Sequence, residues 1–578
     1  MAPWDGTPRV KTRLRLSEAV RAIRLVTRSR GTVVLAGVLI GAGLLLGACS
    51  SSSDSGGGAI TDQPTPKPGG TYNYPLTADP VSIEPLNAQE SAGMQVAHQV
   101  FQGLARYVMN DEGESIAEPD IAESWGTTDS QTWTFHLKKG VMFQPPVSRE
   151  VVAQDFVDSW NRVTDPKNQS YVSYILAPVE GCDDGGYQVD PKRGLTGVKA
   201  IDDYTVEVKL RYPFAEFPQA LGHPVAAVTP VEYIDQVGAR KYAQKPVGSG
   251  PYMVESWEHD RSITLVKNPA YWDKSAGGPY VDTIDMPIIA EAQTVWRRFQ
   301  KGDLDYAMVP PGQVAAAEND PKVKSGEWSA QRWPALAVSF IGMNMTDKTL
   351  GQSLDLRKAL AESTDAQNVV AAVTGGVAQP ATGYVPSGTP GFVADQSPYT
   401  YSPEDAKTIV DGIGGAPTLQ YWYDTNEGHQ KVGEVLQAGW AKAGINVDLV
   451  DFAWGTFLDK LSKGDSGSVS QLFRSGWIAD YPSMDDFLYP LFQSDRARTG
   501  SYTFYSSQQV DDLLLRARST ADARQRHDLY AQAERLILTD MPAIPLYFYR
   551  RFRVTDDRIA GFFENPMGYT DMWTLWHK

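Results

Sequence analysis

Between residues 418 and 478 the sequence alternates short apolar runs with amphipathic patterns, and this order restricts the possible folds more than any other feature. The patterns predict three strands separated by two helices, in the order Leu419–Tyr423, His429–Ala443, Val447–Asp451, Thr456–Leu461 and Gln471–Gly476. Strands that alternate with helices are typical of an α/β domain. The sequence therefore predicts an α/β fold for this part of the chain.

The segment that follows the last of these strands carries an acid in an apolar setting. Asp480 lies among aromatic and apolar residues and is followed by Tyr481 and Pro482. An aspartate in such surroundings is costly to bury unless a cation pairs with it. Arg474 is the nearest internal candidate, although its place between apolar neighbours also suits a contact with a ligand. The alternative interpretation is a strand end that is closed by an Asp turn.

Length and apolar patterning predict a globular protein with several cores. The chain has 578 residues, of which 42% are hydrophobic, and this length suggests about two to four domains. Four further patterns predict two helices, a hairpin and a buried strand, at Ser91–Tyr107, Leu356–Ala372, Val198–Leu210 and Pro542–Tyr549 respectively.

The first 48 residues have the pattern of an export signal. Eight basic and two acidic residues precede the uncharged apolar run Gly31–Leu46, which leads to Gly47, Ala48 and Cys49. This segment resembles a bacterial lipoprotein signal, in which cleavage exposes a cysteine for acylation. We therefore predict a signal peptide over 1–48, palmitate or a related acyl group on Cys49, and a flexible Ser-, Gly- and Pro-rich tether over 49–70. The alternative is an uncleaved anchor with a chance cysteine.

The charge of the exported chain limits its partners. The whole chain carries −16, and loss of a net +6 with residues 1–48 leaves −22. So acidic a protein is a poor partner for nucleic acid and for anionic lipid. We therefore expect membrane attachment to depend on the acyl chains at Cys49, which would place the protein on the outer face of the cytoplasmic membrane.

Several motifs resemble one family over most of the chain. The segment Arg474–Pro482, with the sequence RSGWIADYP, resembles the W-x-A-D-Y segment of the oligopeptide- and dipeptide-binding proteins of ABC importers. Residues 122–156 resemble a signature region of that family, and Gly248–Tyr252 matches its G-[ST]-G-P-Y turn. The resemblance implies a two-lobed, periplasmic-binding-protein-like clamp (type II, cluster C) with an extra inserted subdomain. Lobe I would comprise 71–95, 191–334 and 543–578, the inserted subdomain 96–190, and lobe II 335–542.

The resemblance also implies the residues of a peptide site. Asp480 would hold the α-ammonium of the peptide, and the main chain around Trp477, Ile478, Ala479 and Tyr481 would pair with the peptide backbone like an added strand. The other implied ligand-binding residues are Arg474 and His429, for the peptide carboxylate, and the pocket aromatics Trp477, Trp454, Tyr171 and Tyr549. Each aromatic could equally be an ordinary core residue. A further cationic anchor of the family is absent, because residues 370–376 contain Thr374 and no lysine.

These features together predict a binding protein rather than an enzyme. We expect a lipid-anchored, monomeric solute-binding protein that captures oligopeptides and delivers them to membrane permeases, which separate cytoplasmic ATPases drive. No cofactor or metal is expected, since the seven histidines are scattered without ligand spacing. One alternative is a same-fold binder of a nickel chelate, haem, opine, glutathione or sugar. The other is a secreted lipoprotein hydrolase that uses carboxylates, or the Gly464–Gly467 motif GDSG, for catalysis.

Overall fold

The structure is a computed structural model that describes residues 65–273, 278–463 and 471–578. The predicted signal peptide, Cys49, most of the predicted tether and the GDSG motif lie outside these residues. Residues 64–578 form one compact unit. Within the described part of the chain, no helix is long and apolar enough to cross a membrane.

The strands, numbered along the chain, are β1 Thr71–Asn73, β2 Ala105–Met109, β3 Ser115–Pro119, β4 Ala122–Thr127, β5 Thr132–Leu137, β6 Val198–Asp202, β7 Thr205–Lys209, β8 Tyr252–Glu258, β9 Ser262–Lys267, β10 Thr283–Pro287, β11 Tyr306–Met308, β12 Trp328–Met343, β13 Gln379–Pro380, β14 Leu419–Asp424, β15 Val447–Phe452, β16 Leu472–Ile478, β17 Ala543–Asp556, β18 Ile559–Ala560 and β19 Trp576–His577.

The α-helices are α1 Ser91–Val100, α2 Ala153–Thr164, α3 Phe217–Ala220, α4 Val231–Val237, α5 Ala239–Gln244, α6 Ala292–Lys301, α7 Val314–Glu318, α8 Pro321–Ser325, α9 Leu354–Glu362, α10 Ala366–Thr374, α11 Pro403–Gly412, α12 Glu427–Lys442, α13 Trp454–Ser462, α14 Met484–Phe492, α15 Gln508–Ser519 and α16 Ala523–Asp540.

The largest sheet confirms the predicted α/β alternation. Its strands lie in the order β11-β17-β12-β16-β14-β15, and β13 pairs with β17. Strand β14 is parallel to both β15 and β16, and helices α12 and α13 connect these strands in sequence. Apolar side chains of this region form one cluster around Tyr421 and Trp440, a second around Phe340 and Phe487, and a smaller third that contains Trp422 and Phe473. The parallel strands therefore carry Arg474 and Asp480 on a well-packed support.

Two long antiparallel strands, β12 and β17, run through the sheet side by side. Their pairing extends from Trp328 opposite Asp556 to Gly342 opposite Ala543, with an irregularity after Pro334. Where both strands end, the Met343 N–H donates to the Pro542 carbonyl at 2.9 Å. The chain between these two residues therefore begins and ends at neighbouring points of the sheet, to which it contributes strands β13 to β16.

The rest of the described chain builds two four-stranded sheets with cores of their own, and two two-stranded sheets, β2-β3 and β18-β19. Strands β1, β10, β9 and β8 form one sheet, and β4, β5, β7 and β6 form the other. Strands β6 and β7 make the hairpin that was predicted for residues 198–210. The core beside the first sheet contains Tyr72 and Trp573, from opposite ends of the described chain, and the core beside the second contains Phe135 and Trp160.

Two predicted helices differ from the observed ones. The pattern at 91–107 gives helix α1 only as far as Val100, and the chain then continues as strand β2. The pattern at 356–372 gives two helices, α9 and α10. Between them, the Ser363 and Thr364 hydroxyls donate to carbonyls of α9, and Asp365 caps α10 by accepting the Asn368 N–H. Local side-chain hydrogen bonds thus end one helix and start the next despite a continuous apolar stripe.

Trp440 and Trp454 allow the contribution of this core to be measured with one type of substitution. Trp440 is fully buried and its ring nitrogen donates to Thr364 Oγ1 at 2.9 Å, whereas Trp454 is 54% exposed. We expect Trp440→Ala to lower the free energy of unfolding by about 3–5 kcal/mol, and Trp454→Ala to change it by less than about 0.5 kcal/mol. Urea denaturation followed by circular dichroism provides the measurement. Equal losses for both variants would contradict this assignment of the core.

Candidate functional site

Asp480 lies immediately beyond strand β16, where two hydrogen bonds fix its orientation. Its main-chain N–H donates to Asp486 Oδ2 at 3.0 Å, in the first turn of helix α14. Its carboxylate accepts a hydrogen bond from the Tyr174 hydroxyl at 2.9 Å, so a residue 306 positions earlier in the chain reaches the acid. The side chain is therefore held between a helix start and an aromatic hydroxyl.

No basic side chain of the described residues makes an ion pair with Asp480. Burial raises the pKa of the Asp480 carboxyl to about 6, while the Tyr174 hydroxyl acts in the opposite direction. The nearest cation along the strand, Arg474, lies beside a different acid, Asp424, as described below. Of the two possibilities that the sequence left open for Arg474, a pair with Asp480 is therefore not formed, and among the described residues no cation faces the carboxylate of Asp480.

A second acid, Asp486, lies directly behind Asp480. Asp486 is buried, and its Oδ2 accepts both the Asp480 N–H and the Trp477 ring N–H, each at 3.0 Å. Burial, and next the negative charge of Asp480, raise the pKa of the Asp486 carboxyl well above its usual value. Asp486 therefore positions both the main chain of Asp480 and the ring of Trp477.

Tyrosine side chains form a wall next to Asp480. The rings of Tyr107 and Tyr569 stack with centroids 5.9 Å apart, and the Tyr107 hydroxyl donates to the Gln219 carbonyl at 2.9 Å. Burial is the largest cause that raises the pKa of both phenols, and the charge of Asp480 contributes to each. An acid beside aromatic faces is a suitable environment for an ammonium group, which is attracted by both.

One edge of strand β16 is free of a partner strand next to Asp480. On one side β16 pairs with β12 from Leu472 to Ile478, but on the other it meets β14 only at Leu472 and Phe473. The Ala479 N–H donates to the Leu336 carbonyl on the β12 side. Since main-chain groups alternate along a strand, those of Ile478 and Gly476 point to the unpaired edge. This edge can accept an extended chain by strand addition.

A second polar cluster lies further back along β16. The guanidinium of Arg474 lies 4.0 Å from Asp424 Oδ1, at the end of β14, and His429 Nδ1 lies 2.8 Å from the same oxygen. Burial, and next the charge of Arg474, lower the pKa of His429. Tyr547 and Tyr549 stack edge to face, and the positive charge of Arg474 acts on Tyr547. The structure thus brings the predicted residues Arg474, His429 and Tyr549 into one neighbourhood.

The remaining predicted residues have different surroundings. The Ile478 side chain is 75% exposed, Ala479 is buried, and the Tyr481 hydroxyl donates to Asp485 at 2.9 Å. Trp454 and Tyr171 are both largely exposed. The ring of Trp454 packs near Phe457, and the Tyr171 N–H donates to Asn87. Their participation in a ligand site stays a prediction.

Sequence reasoning missed five residues of this region: Tyr107, Tyr174, Asp424, Asp486 and Tyr569. Tyr174 stands in the same short segment as the predicted Tyr171, and Asp486 follows the recognised segment Arg474–Pro482 by four residues, so both lie near a recognised motif. Tyr107 and Tyr569 carry no local signal, because only the tertiary fold brings them to Asp480. Among the described residues, no group of three or more His, Cys, Asp or Glu side chains is arranged to hold a metal ion.

Comparison with known proteins identifies the family of this chain. The sequence model of the bacterial extracellular solute-binding proteins, family 5, matches residues 117–499, which is more than half of the chain. The chain belongs to this family. Its members bind substrates and do not catalyse reactions, and the protein is therefore a solute-binding protein of the peptide ABC transporter family.

Individual relatives cover most of the chain. The oligopeptide-binding protein OppA of Bacillus subtilis is 30% identical over 85% of this chain and 90% of its own length. Heme-binding protein A of Haemophilus influenzae is 26% identical over 92% of this chain and 96% of its own length. The structure of DppA from Helicobacter pylori in complex with the peptide STSA has a TM-score of 0.69 at 24% identity, covering 88% of this chain and 98% of that one. These likenesses confirm the predicted two-lobed, mixed α/β clamp.

Asp486 provides a test of the electrostatics of the site. A buried acid with a raised pKa destabilises the fold as pH rises towards that pKa, because the unfolded chain loses its proton first. We expect Asp486→Asn to raise the melting temperature at pH 7.5 and to have less effect at pH 5, since asparagine keeps an oxygen for both N–H donors. Thermal denaturation at the two pH values provides the measurement. A variant that is destabilised equally at both pH values would contradict the expectation that ionisation of the buried Asp486 destabilises the fold.

Proposed function

We propose that this protein captures oligopeptides by their amino-terminal ammonium and main chain, and delivers them to the permease of an ABC importer. Asp480 is the amino-terminal anchor in this proposal. Tyr107, Tyr174 and Tyr569 line the anchor, and Trp477 is held against it by Asp486. The lobes would close around the peptide by a rigid-body motion about the strands that connect them, β12 and β17.

The single observation that carries the proposal is the absence of any ion-pair partner for Asp480 within residues 65–273, 278–463 and 471–578. Burial of a carboxylate without an ion-pair partner costs free energy, and a cation of the ligand offsets this cost when it binds. An ammonium group fits because it has three donors, and the carboxylate and the tyrosine faces can share them. A free peptide amino terminus supplies this group whatever the side chains are.

The unpaired edge of β16 supports the second part of the proposal. An extended peptide with its amino terminus at Asp480 would lie along Ile478 and Gly476 towards Arg474 and would exchange main-chain hydrogen bonds with the first two residues. Contacts of this kind are the same for every residue type except proline. Recognition would therefore depend on the backbone and tolerate many side chains, with the exposed Ile478, Trp454 and Tyr171 as candidate contacts to them.

The electrostatics of the site favour a peptide over haem, which one relative is named for binding. Haem carries two carboxylates, and Asp480 and Asp486 would repel them. Neither a nickel chelate, an opine, glutathione nor a sugar gains support from a specific contact in the described chain. A peptide with a free amino terminus has the charge that complements Asp480.

The proposal also includes the location of the protein. Acylation of Cys49 would hold the protein on the outer face of the cytoplasmic membrane, and the segment 49–70 would act as a tether. Its partners would be permease subunits and, through them, cytoplasmic ATPases. We expect it to act as a monomer.

Removal of the charge at residue 480 tests the anchor directly. We expect Asp480→Asn to weaken the binding of a free tetrapeptide by at least about tenfold, because truncation of a buried charge partner usually costs about 2–5 kcal/mol. The wild type should bind the N-acetylated form of the same peptide equally poorly, and Asp451→Asn, which removes a surface charge, should bind as the wild type does. Isothermal titration calorimetry provides the dissociation constants.

The pH dependence of the same titration gives an independent check. Since the pKa of Asp480 is about 6 in the free protein, affinity should fall below pH 6 as the anchor becomes protonated, and it should not fall in Asp480→Asn. Unchanged affinity in Asp480→Asn, or tight binding of the acetylated peptide, would remove Asp480 as the anchor.

Replacement of Cys49 tests the location. We expect Cys49→Ala to release the protein from the membrane fraction of the producing cells, because acyl chains can no longer be attached. Immunoblotting of membrane and soluble fractions provides the measurement, with Cys182→Ala as the matched control that should stay on the membrane. A Cys49→Ala protein that remains in the membrane fraction would favour the uncleaved anchor.

A further inference from the structure

The two ends of the open strand edge differ in how their charges are satisfied. At one end, Asp480 faces no cation of the described chain. At the other, the guanidinium of Arg474 lies near the carboxylate of Asp424, with 4.0 Å between Arg474 Nη1 and Asp424 Oδ1. Both side chains are mostly buried, at 18% and 12% exposed. Only the first end therefore presents an unbalanced charge to a ligand.

His429 does not restore a positive charge to the second end. Its Nδ1 lies 2.8 Å from the same Asp424 oxygen, but burial and the nearby Arg474 hold its pKa below the usual value, so the ring is neutral near pH 7. Two further groups under the influence of Arg474 are the phenols of Tyr421 and Tyr547. Burial raises the pKa of each, so they are neutral as well. One guanidinium and one carboxylate leave the cluster with a net charge near zero.

We propose that Asp424 neutralises Arg474 and thereby makes this protein indifferent to the carboxyl end of its ligand. This rests on the proposed peptide function and narrows its substrate class to chains that are selected by a free amino terminus and an extended backbone. Peptides whose carboxyl end is amidated, or continues as a longer chain, are then ligands as good as free acids. Asp424 acts as a specificity-determining residue through Arg474 and need not touch the peptide.

The reach of the strand sets the ligand lengths that test this assignment. Arg474 precedes Asp480 by six residues, which corresponds to about 20 Å of extended strand. After allowance for the two side chains, a peptide of about four to six residues anchored at Asp480 places its carboxyl end near Arg474. Shorter peptides end before they reach the cluster and serve only as controls for the anchor.

The first experiment uses the wild-type protein alone. Tetra-, penta- and hexapeptides of one sequence series are prepared as free acids and as carboxyl-terminal amides, and their dissociation constants are measured by calorimetry at pH 7.5. We expect the two forms to agree within about twofold at each length. A free acid that binds about tenfold or more tightly than its amide at any of these lengths overturns the proposal.

The second experiment removes the negative charge that balances Arg474. Asp424→Asn keeps the shape of the side chain and removes its charge, and we expect it to tighten the binding of the free acids by about fivefold or more, with the amides nearly unchanged. Asp451→Asn is the matched control: Asp451 is exposed on the neighbouring strand β15, in register with Tyr423, and it accepts from the Thr425 hydroxyl at 3.2 Å. It should leave the ratio of acid to amide affinity unchanged.

The outcomes separate this inference from the proposed function. Peptides that bind in both forms, with an unchanged ratio in Asp424→Asn or an equal shift in Asp451→Asn, overturn the role of Asp424 and leave the peptide function intact. Absence of binding for acids and amides alike overturns both. Should Asp424→Asn fail to fold, as judged by circular dichroism, the wild-type comparison still decides the matter, because it requires no variant.

Discussion

The arrangement of the binding region depends on one carboxylate whose charge the described protein does not balance. Asp480 is held by its main chain and by a tyrosine hydroxyl, yet no basic side chain in that part of the molecule pairs with it. An unbalanced charge is unfavourable in the free state, and the favourable contact becomes available only when a cation arrives. The buried Asp486 increases this effect, because it places a second acid behind the first.

The same strand carries Arg474, whose charge is balanced by Asp424. The site therefore has a direction, because its Asp480 end is charged and its Arg474 end is nearly neutral. Arg474 and Asp424 form a loose, mostly buried ion pair. The open strand edge between Arg474 and Asp480 offers main-chain donors and acceptors, which do not select particular side chains of a ligand. Such a site recognises only the amino terminus of a bound chain by its charge. The ligand is then aligned by the distance of its residues from Asp480 along the strand, and not by the shapes of its side chains.

Local patterns predicted the elements of the fold, and a resemblance predicted the anchor. The alternation at 418–478 and the hairpin at 198–210 correspond to observed strands and helices because each depends on residues close in sequence. The break at Ser363 and Thr364 was not predicted, since it depends on hydroxyl-to-carbonyl bonds that hydrophobic periodicity does not register. The tyrosine wall could not be predicted either, because Tyr107 and Tyr569 meet only through tertiary structure. The sequence offers Arg474 as a possible partner for Asp480, but the fold brings the end of β14 close to it, so that Asp424 is the acid beside Arg474.

The junction at Met343 and Pro542 has a consequence for how such proteins can diversify. The chain leaves β12 at one residue and enters β17 at its hydrogen-bonded neighbour, and the stretch between them contributes strands β13 to β16 to the same sheet. Segments with adjacent ends can be exchanged between related chains without rerouting the remainder. Exchange of this stretch would replace Asp424, Arg474 and Asp480 together, while Tyr107, Tyr174 and Tyr569, which lie outside it, would stay unchanged beside the new acid.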